Sequence, residues 1–180
     1  MATHTLDLSE IHENTYALTS HWKGVMEEAS ILRLEEQGHQ PGVFMEVDGA
    51  FTQTYQVVWS YSTNDAMRRC YQDEDQTTEW AACGIALILI RRLTKHTAIS
   101  RSRKGTGFDY WLGPQQDAGN NIFNNKARLE ISGIRKGSDS AINRRTKQKL
   151  AQPNPSNSTG LPVYAIVVEF SRPLSRIAQR

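Results

Sequence analysis

The sequence predicts an α/β (α+β) fold in which a central mixed sheet is flanked by helices. The segment 76–95 has a middle that is apolar on every side, which is typical of a buried central helix. Three short β-prone segments, a basic helix and a strongly apolar strand follow it. This order of elements indicates helices packed on a sheet. A chain of 180 residues can bury such a core as one compact unit.

Hydrophobic periodicity and turn residues place the individual elements. Before the long helix we expect helices at 21–36 and 64–71 and strands at 43–47 and 55–59. After it we expect strands at 97–101, 108–112 and 127–132, a helix at 140–151 and a strand at 163–170. The last strand is apolar almost throughout, which favours burial on both of its faces. The segment 152–160 is rich in Pro, Asn and Ser and is predicted to be a surface loop.

Charge is distributed unevenly between the two halves of the chain. Residues 1–90 carry 4 Lys and Arg against 14 Asp and Glu, and residues 91–180 carry 17 against 5. The basic half predicts a surface for a polyanion such as nucleic acid. The acidic half predicts a surface that docks a basic protein partner or a second copy of the chain. The alternative is that the two halves neutralise each other within the fold.

Several features of the sequence bear on where in the cell the protein is located. The longest apolar run, 80–90, is shorter than the ~20 residues of a membrane span, so we expect no membrane association. The polar start of the chain, 1–13, does not resemble a secretory signal. Cys70 and Cys83 lack the paired spacing of a zinc site and are expected to be reduced thiols. Together these features favour a cytoplasmic protein.

Two acidic residues on predicted strands suggest a metal site. Alternate residues of a strand share a face, so Arg128, Glu130 and Ser132 should lie opposite the apolar residues between them. If Asp109 faces the same side of a neighbouring strand, two carboxylates converge. Carboxylate oxygens are the ligands that Mg²⁺ prefers, and a bound Mg²⁺ activates water and stabilises charge on a phosphate.

With Asp109 on the second strand and Glu130 on the third, the stretch 76–170 resembles the PD-(D/E)xK nuclease superfamily. That resemblance implies a restriction-endonuclease-like core at 76–180, with 1–75 as an acidic extension made of a helix and a hairpin. It also implies that Mg²⁺ or Mn²⁺ is bound by Glu79, Asp109 and Glu130. The element order of helix, three strands, helix and strand agrees with the family.

The sequence departs from the family pattern at the lysine of the E-x-K triplet, which is Ser132 here. Serine cannot supply the positive charge of that lysine. We expect the charge to come from Lys136, just beyond the strand, or alternatively from Lys147 on the second helix. The candidate catalytic residues are therefore Asp109, Glu130, Ser132 and Lys136.

The resemblance predicts a metal-dependent DNA endonuclease or nickase, in the setting of bacterial or phage defence or a mobile element. Six positive and no negative residues in 91–104 favour phosphate contact. The predicted nucleic-acid contacts are Arg101, Arg103, Lys104, Arg144, Arg145 and Lys147. The alternative, favoured by Ser132, is a non-catalytic module that binds nucleic acid and a protein partner on a degenerate nuclease fold.

Overall fold

The structure is a computed structural model that describes residues 4–115 and 124–180. Within these residues eight strands form a single mixed sheet with helices on both faces, which confirms the predicted fold class. The helices are α1 Ser20–Glu36, α2 Asp65–Cys70, α3 Glu74–Leu93 and α4 Asp139–Ala151. The strands are β1 His4–Asp7, β2 Val43–Gly49, β3 Gln53–Val58, β4 His96–Arg101, β5 Tyr110–Pro114, β6 Ala127–Ile134, β7 Val163–Glu169 and β8 Leu174–Gln179.

The strands lie in the order β1-β3-β2-β8-β7-β6-β5-β4. β4, β5 and β6 form consecutive antiparallel pairs. β6 and β7 are parallel, and α4 is the crossover that joins them. The antiparallel pairing of β5 and β6 positions Asp109 beside Glu130, because Asp109 immediately precedes β5 and its N–H donates to the carbonyl of Leu129.

The sheet separates two layers of helices. Ala127, Leu129 and Ile131 of β6 are buried in the main core, in which α1 and α3 pack together. The intervening side chains of Glu130 and Ser132 receive hydrogen bonds from α4 on the other face. The predicted alternation along β6 is therefore confirmed. Every residue of β7 is buried, as its apolar run predicted.

Local signals begin the two helices that border the candidate site. Asp73 caps α3 by accepting from the N–H of Gln76, and basic residues occupy the last turn, as the helix dipole favours. Ser138 caps α4 by accepting from the N–H of Ala141. Both starts agree with the sequence analysis to within about two residues.

The acidic N-terminal part and the predicted core share one sheet. β2 pairs in parallel with β8, so the strands of the first 75 residues extend the sheet, while α1 of the same part packs against α3. β1 and β8 were not predicted, and the 3-10 helix Asn154–Thr159 lies in the segment predicted to be a surface loop. None of the helices in the described part of the chain combines the length and apolar character that a membrane span requires.

Candidate active site

Asp109 and Glu130 lie side by side at the junction of β5 and β6. Asp109 Oδ2 accepts a hydrogen bond of 2.8 Å from the backbone N–H of Ile131, the residue after Glu130. This bond crosses from one strand to the next and fixes the carboxylate of Asp109 close to that of Glu130. The structure thus brings together the two acids that the sequence analysis paired.

The carboxylate of Glu130 is buried, with 1% of its residue surface exposed. Lys149 Nζ donates to Oε1 at 2.5 Å, whereas no hydrogen-bond partner for Oε2 is present among the described residues. Burial, and then the negative charge of Asp109, raise the pKa of Glu130 to about 8 against the opposing effect of Lys149. Glu130 is consequently a carboxyl group that binds a proton near neutral pH.

Two cations reach this face of β6 from α4. Arg145 and Lys149 are four residues apart and therefore project from the same side of the helix. Arg145 Nη1 donates to Ser132 Oγ at 3.0 Å, and Lys149 Nζ donates to Glu130 Oε1. The basic charge beside Ser132 and Glu130 is thus supplied by the second helix of the predicted core.

The structure places neither Lys136 nor Lys147 beside the two acids. Lys136 is exposed and lines a different cavity, together with Gln37 and Arg172. Lys147 is an exposed residue of α4, two positions before Lys149. Two positions on a helix differ by about 200° in direction, so Lys147 and Lys149 project from nearly opposite sides. Lys149, which the sequence analysis did not single out, takes the place expected for Lys136 or Lys147.

Glu79 does not join Asp109 and Glu130. It is an exposed residue of α3 and lines a separate cavity with Gly133 and Arg145. Within residues 4–115 and 124–180, no three His, Cys, Asp or Glu side chains are grouped so that they could hold a metal ion. The metal site that the resemblance implied with three carboxylates is therefore reduced to the pair Asp109 and Glu130.

A cavity of about 560 Å³ opens over this pair of acids. One wall is formed by the end of β4 and the loop that follows it, which contribute the predicted phosphate contacts Arg101, Arg103 and Lys104. This loop is closed at its base, because the N–H of Ser102 donates to the carbonyl of Asp109 at 2.8 Å. The loop therefore carries three exposed cations to the rim of a cavity that contains two acids.

Another part of the lining comes from the segment that follows α4. Gln152 and Pro155 line the cavity there, and the backbone of Gln152 touches the first loop at Gly107. Gly107 has φ +80, and a Cβ at this position would overlap the carbonyl oxygen of Gln152. The two loops thus meet at a glycine and enclose one side of the cavity.

The other predicted nucleic-acid contacts lie on α4, and they differ in their surroundings. Arg144 and Lys147 are exposed and three residues apart, so they share a side of the helix. Arg145 is instead directed to Ser132 by its hydrogen bond. Within the described residues, the rim residues Arg101, Arg103 and Lys104 form no ion pair with an acid.

Part of the charge asymmetry is balanced inside the fold. Glu10 pairs with both Arg91 and Arg92, and Asp48 pairs with Arg176. These contacts join the acidic half to the basic half, as the neutralisation alternative expected. The cations around the cavity are not part of these pairs, so a basic surface remains where the two acids are.

Comparison of the chain with models of protein families, with curated proteins and with solved structures gives no match.

Proposed function

We propose that this chain is a metal-dependent nuclease of the PD-(D/E)xK type that hydrolyses phosphodiester bonds in nucleic acid, with DNA as the expected substrate. The observation that carries the proposal is one cavity lined by Asp109 and Glu130 and by the cations Arg101, Arg103 and Lys104, which form no ion pair within the described residues. Acids that bind a hard metal ion, beside cations that bind phosphates, are two components suited to metal-dependent phosphodiester hydrolysis.

The residues present fit Mg²⁺ or Mn²⁺. Both acids offer hard oxygen donors, and Oε2 of Glu130 is buried without a hydrogen-bond partner in the described part of the chain. Mg²⁺ keeps several waters and is commonly held by one or two carboxylates together with substrate phosphate, so a third acid is not required. When bound, such a metal lowers the pKa of a water and stabilises negative charge on the phosphate.

The other side chains prepare the site for an anionic substrate. Lys149 donates to Oε1 of Glu130, and Oε2 has no hydrogen-bond partner among the described residues. Its charge favours the deprotonated form of Glu130, which is the form that binds a metal. Arg101, Arg103 and Lys104 would hold the nucleic-acid backbone against the cavity, which fixes its position without reading its sequence.

The second candidate function is a non-catalytic module that binds nucleic acid. Ser132 favours it, because the hydroxyl bonded to Arg145 replaces the lysine of the family triplet. The separate position of Glu79 favours it as well. In this case the basic rim would bind nucleic acid, the acidic half would contact a protein partner, and the two acids would hold no catalytic metal.

Cleavage of a supercoiled plasmid with Mg²⁺ or Mn²⁺ tests the proposal. We expect the wild type to nick or cut the plasmid, and Asp109→Asn or Glu130→Gln to slow the reaction by about 10²-fold or more while DNA binding is retained. Full cleavage rates in both variants would overturn the assignment. Binding without cleavage in the wild type, with cleavage created by Ser132→Lys, would instead establish the non-catalytic module.

The role of Lys149 is tested in the same assay with a matched control. Lys149→Met removes the charge beside Glu130 and is expected to reduce the rate by about 10²-fold. Lys147→Met removes an equal charge from the same helix on a side that does not face the acids, and it should leave the rate within about threefold of wild type. Equal effects of the two substitutions would show that Lys149 acts only through the general charge of α4.

A further inference from the structure

The loop that forms the second wall of the cavity is held by a buried arginine. Arg128 lies on β6 two residues before Glu130 and is 3% exposed. Its guanidinium donates to the carbonyl oxygens of Pro153 and Leu161, at 3.2 and 2.5 Å, and to Ser156 Oγ at 2.8 Å. One planar fork of donors thus ties three points of a single loop to the strand that carries Glu130.

The bonding of Arg128 is unusual for a buried cation. In the described part of the chain no carboxylate lies within ion-pair distance of it, and its hydrogen-bond partners are neutral oxygens. Burial, and then the positive charge of Arg180, lower the pKa of Arg128. Burying a charge without an opposite charge costs free energy, and no salt bridge among the described residues offsets that cost for Arg128. What it provides is a fixed shape for the loop 152–161.

This fixed loop presents uncharged polar groups to the cavity. Gln152 is exposed, lines the cavity, and has no side-chain hydrogen bond among the described residues. Its backbone position is nevertheless determined, since its N–H donates to the carbonyl of Gln148 and its carbonyl touches Gly107. Within the described residues, an amide without a side-chain partner therefore lines the same cavity as the cations Arg101, Arg103 and Lys104.

We propose that Gln152 reads a base edge next to the bound phosphate, and that Arg128 is the positioning residue that holds its loop. The inference rests on the proposed nucleic-acid function and adds sequence selectivity to it. Phosphate contacts from the cationic wall fix the register of the duplex, and base contacts carry the sequence information. A glutamine amide has an NH₂ group that can donate to N7 of adenine and an oxygen that can accept from N6–H₂ in the major groove.

The experiment measures base preference without cleavage. Full-length protein is mixed with a pool of randomised DNA duplexes in EDTA, and the bound fraction is sequenced. We expect adenine to be enriched at one position by wild type. Gln152→Leu should abolish that enrichment, and Gln152→Glu should shift it to cytosine, because a carboxylate accepts from the cytosine amino group. Gln148→Glu makes the same charge change one turn earlier on α4 and should keep the adenine preference.

The role of Arg128 has its own variant and readout. Arg128→Lys keeps the charge but cannot span the three acceptors, so it should reduce the adenine enrichment while the affinity for the unselected pool stays within about threefold. Ser156→Ala removes one acceptor of the fork, leaves the guanidinium in place and should reduce the enrichment in the same direction. The Ser156→Ala variant therefore keeps the test decisive if Arg128→Lys does not fold.

The outcomes separate this inference from the proposed function. Binding of the pool with no enriched base, or enrichment that persists in Gln152→Leu, overturns the role of Gln152 alone. Unchanged enrichment in both Arg128→Lys and Ser156→Ala overturns the positioning role of Arg128. Absence of any binding to the pool by wild type overturns the nucleic-acid function itself, and the inference with it.

Discussion

Glu130 should make the protein less stable as the pH rises through neutrality. Its pKa is raised from 4.5 to about 8 in the folded chain. Between these two values the folded protein holds a proton on Glu130 that the unfolded chain has released. The unfolded state then binds fewer protons, so the free energy of unfolding falls with increasing pH. The stability that the proton on Glu130 contributes is fully present below pH ~4.5 and is lost by about pH 8.

The magnitude follows from the difference between the two pKa values. Each pKa unit corresponds to about 1.36 kcal/mol, so the wild type should lose up to about 5 kcal/mol across this window. Glu130→Gln keeps the size of the side chain and its carbonyl acceptor for Lys149 but cannot ionise. We therefore expect the variant to resemble wild type at pH 5 and to be more stable by about 3–5 kcal/mol at pH 9.

Urea denaturation between pH 5 and pH 9 measures this difference directly. Glu74→Gln is the matched control, because Glu74 is exposed and pairs with Arg135 at the surface. Its difference from wild type should stay within about 1 kcal/mol at every pH. A free energy of unfolding that depends on pH equally in wild type and in Glu130→Gln would refute the burial argument for Glu130.

The remaining expectations concern the two loops of the cavity. Replacing the three rim cations by Gln should weaken binding to all DNA sequences alike and reduce the slope of log affinity against log salt by about 3. The control Arg69→Gln, in the acidic half, should change neither. An unchanged slope in titrations at several salt concentrations would exclude phosphate contact by the rim cations. The rim cations are Arg101, Arg103 and Lys104. Gly107→Ala should destabilise the protein by more than about 2 kcal/mol, because positive φ and the overlap with Gln152 act together. Gly105 also has positive φ, but a Cβ there would meet open space, so Gly105→Ala should lower the free energy of unfolding by only about 1 kcal/mol. Equal losses for the two variants in thermal or urea unfolding would contradict the contact between the loops.

Local patterns were sufficient for much of the fold. The all-apolar middle of α3 and the apolar run of β7 identify buried elements without knowledge of their partners. Period-two alternation along β6 correctly assigned Glu130 and Ser132 to the face opposite the core. These features depend on the residues of one segment, which is why a single sequence reveals them.

Elements whose stability comes from distant partners were missed. β8 contains Arg176 and only a weak alternation, and its place in the sheet depends on pairing with β7 and with β2, which lies more than a hundred residues earlier. β1 is only four residues long and pairs in parallel with β3. Local propensity carries little information about such strands, since their hydrogen bonds are made across the fold.

The candidate site was predicted only in part, because some of its contacts also depend on how distant elements pack together. The pairing of Asp109 with Glu130 follows from strand order and alternation, whereas Lys149 depends on how α4 is rotated against β6. The spacing of Arg145 and Lys149 was the available signal, because residues four apart on a helix can face two alternate residues of one strand. Glu79 lines a separate cavity on α3, and the sequence pattern of that helix did not determine this position.

The most direct test of the central claim is the position of a divalent metal. Crystals of the protein soaked in Mn²⁺ and examined by anomalous diffraction would locate it without any assumption about activity. We expect one site coordinated by carboxylate oxygens of both Asp109 and Glu130, with Oε2 of Glu130 as a ligand. Mn²⁺ bound elsewhere, or no Mn²⁺ beside two well-ordered carboxylates while Glu130 stays paired with Lys149, would contradict the assignment of a metal-dependent nuclease.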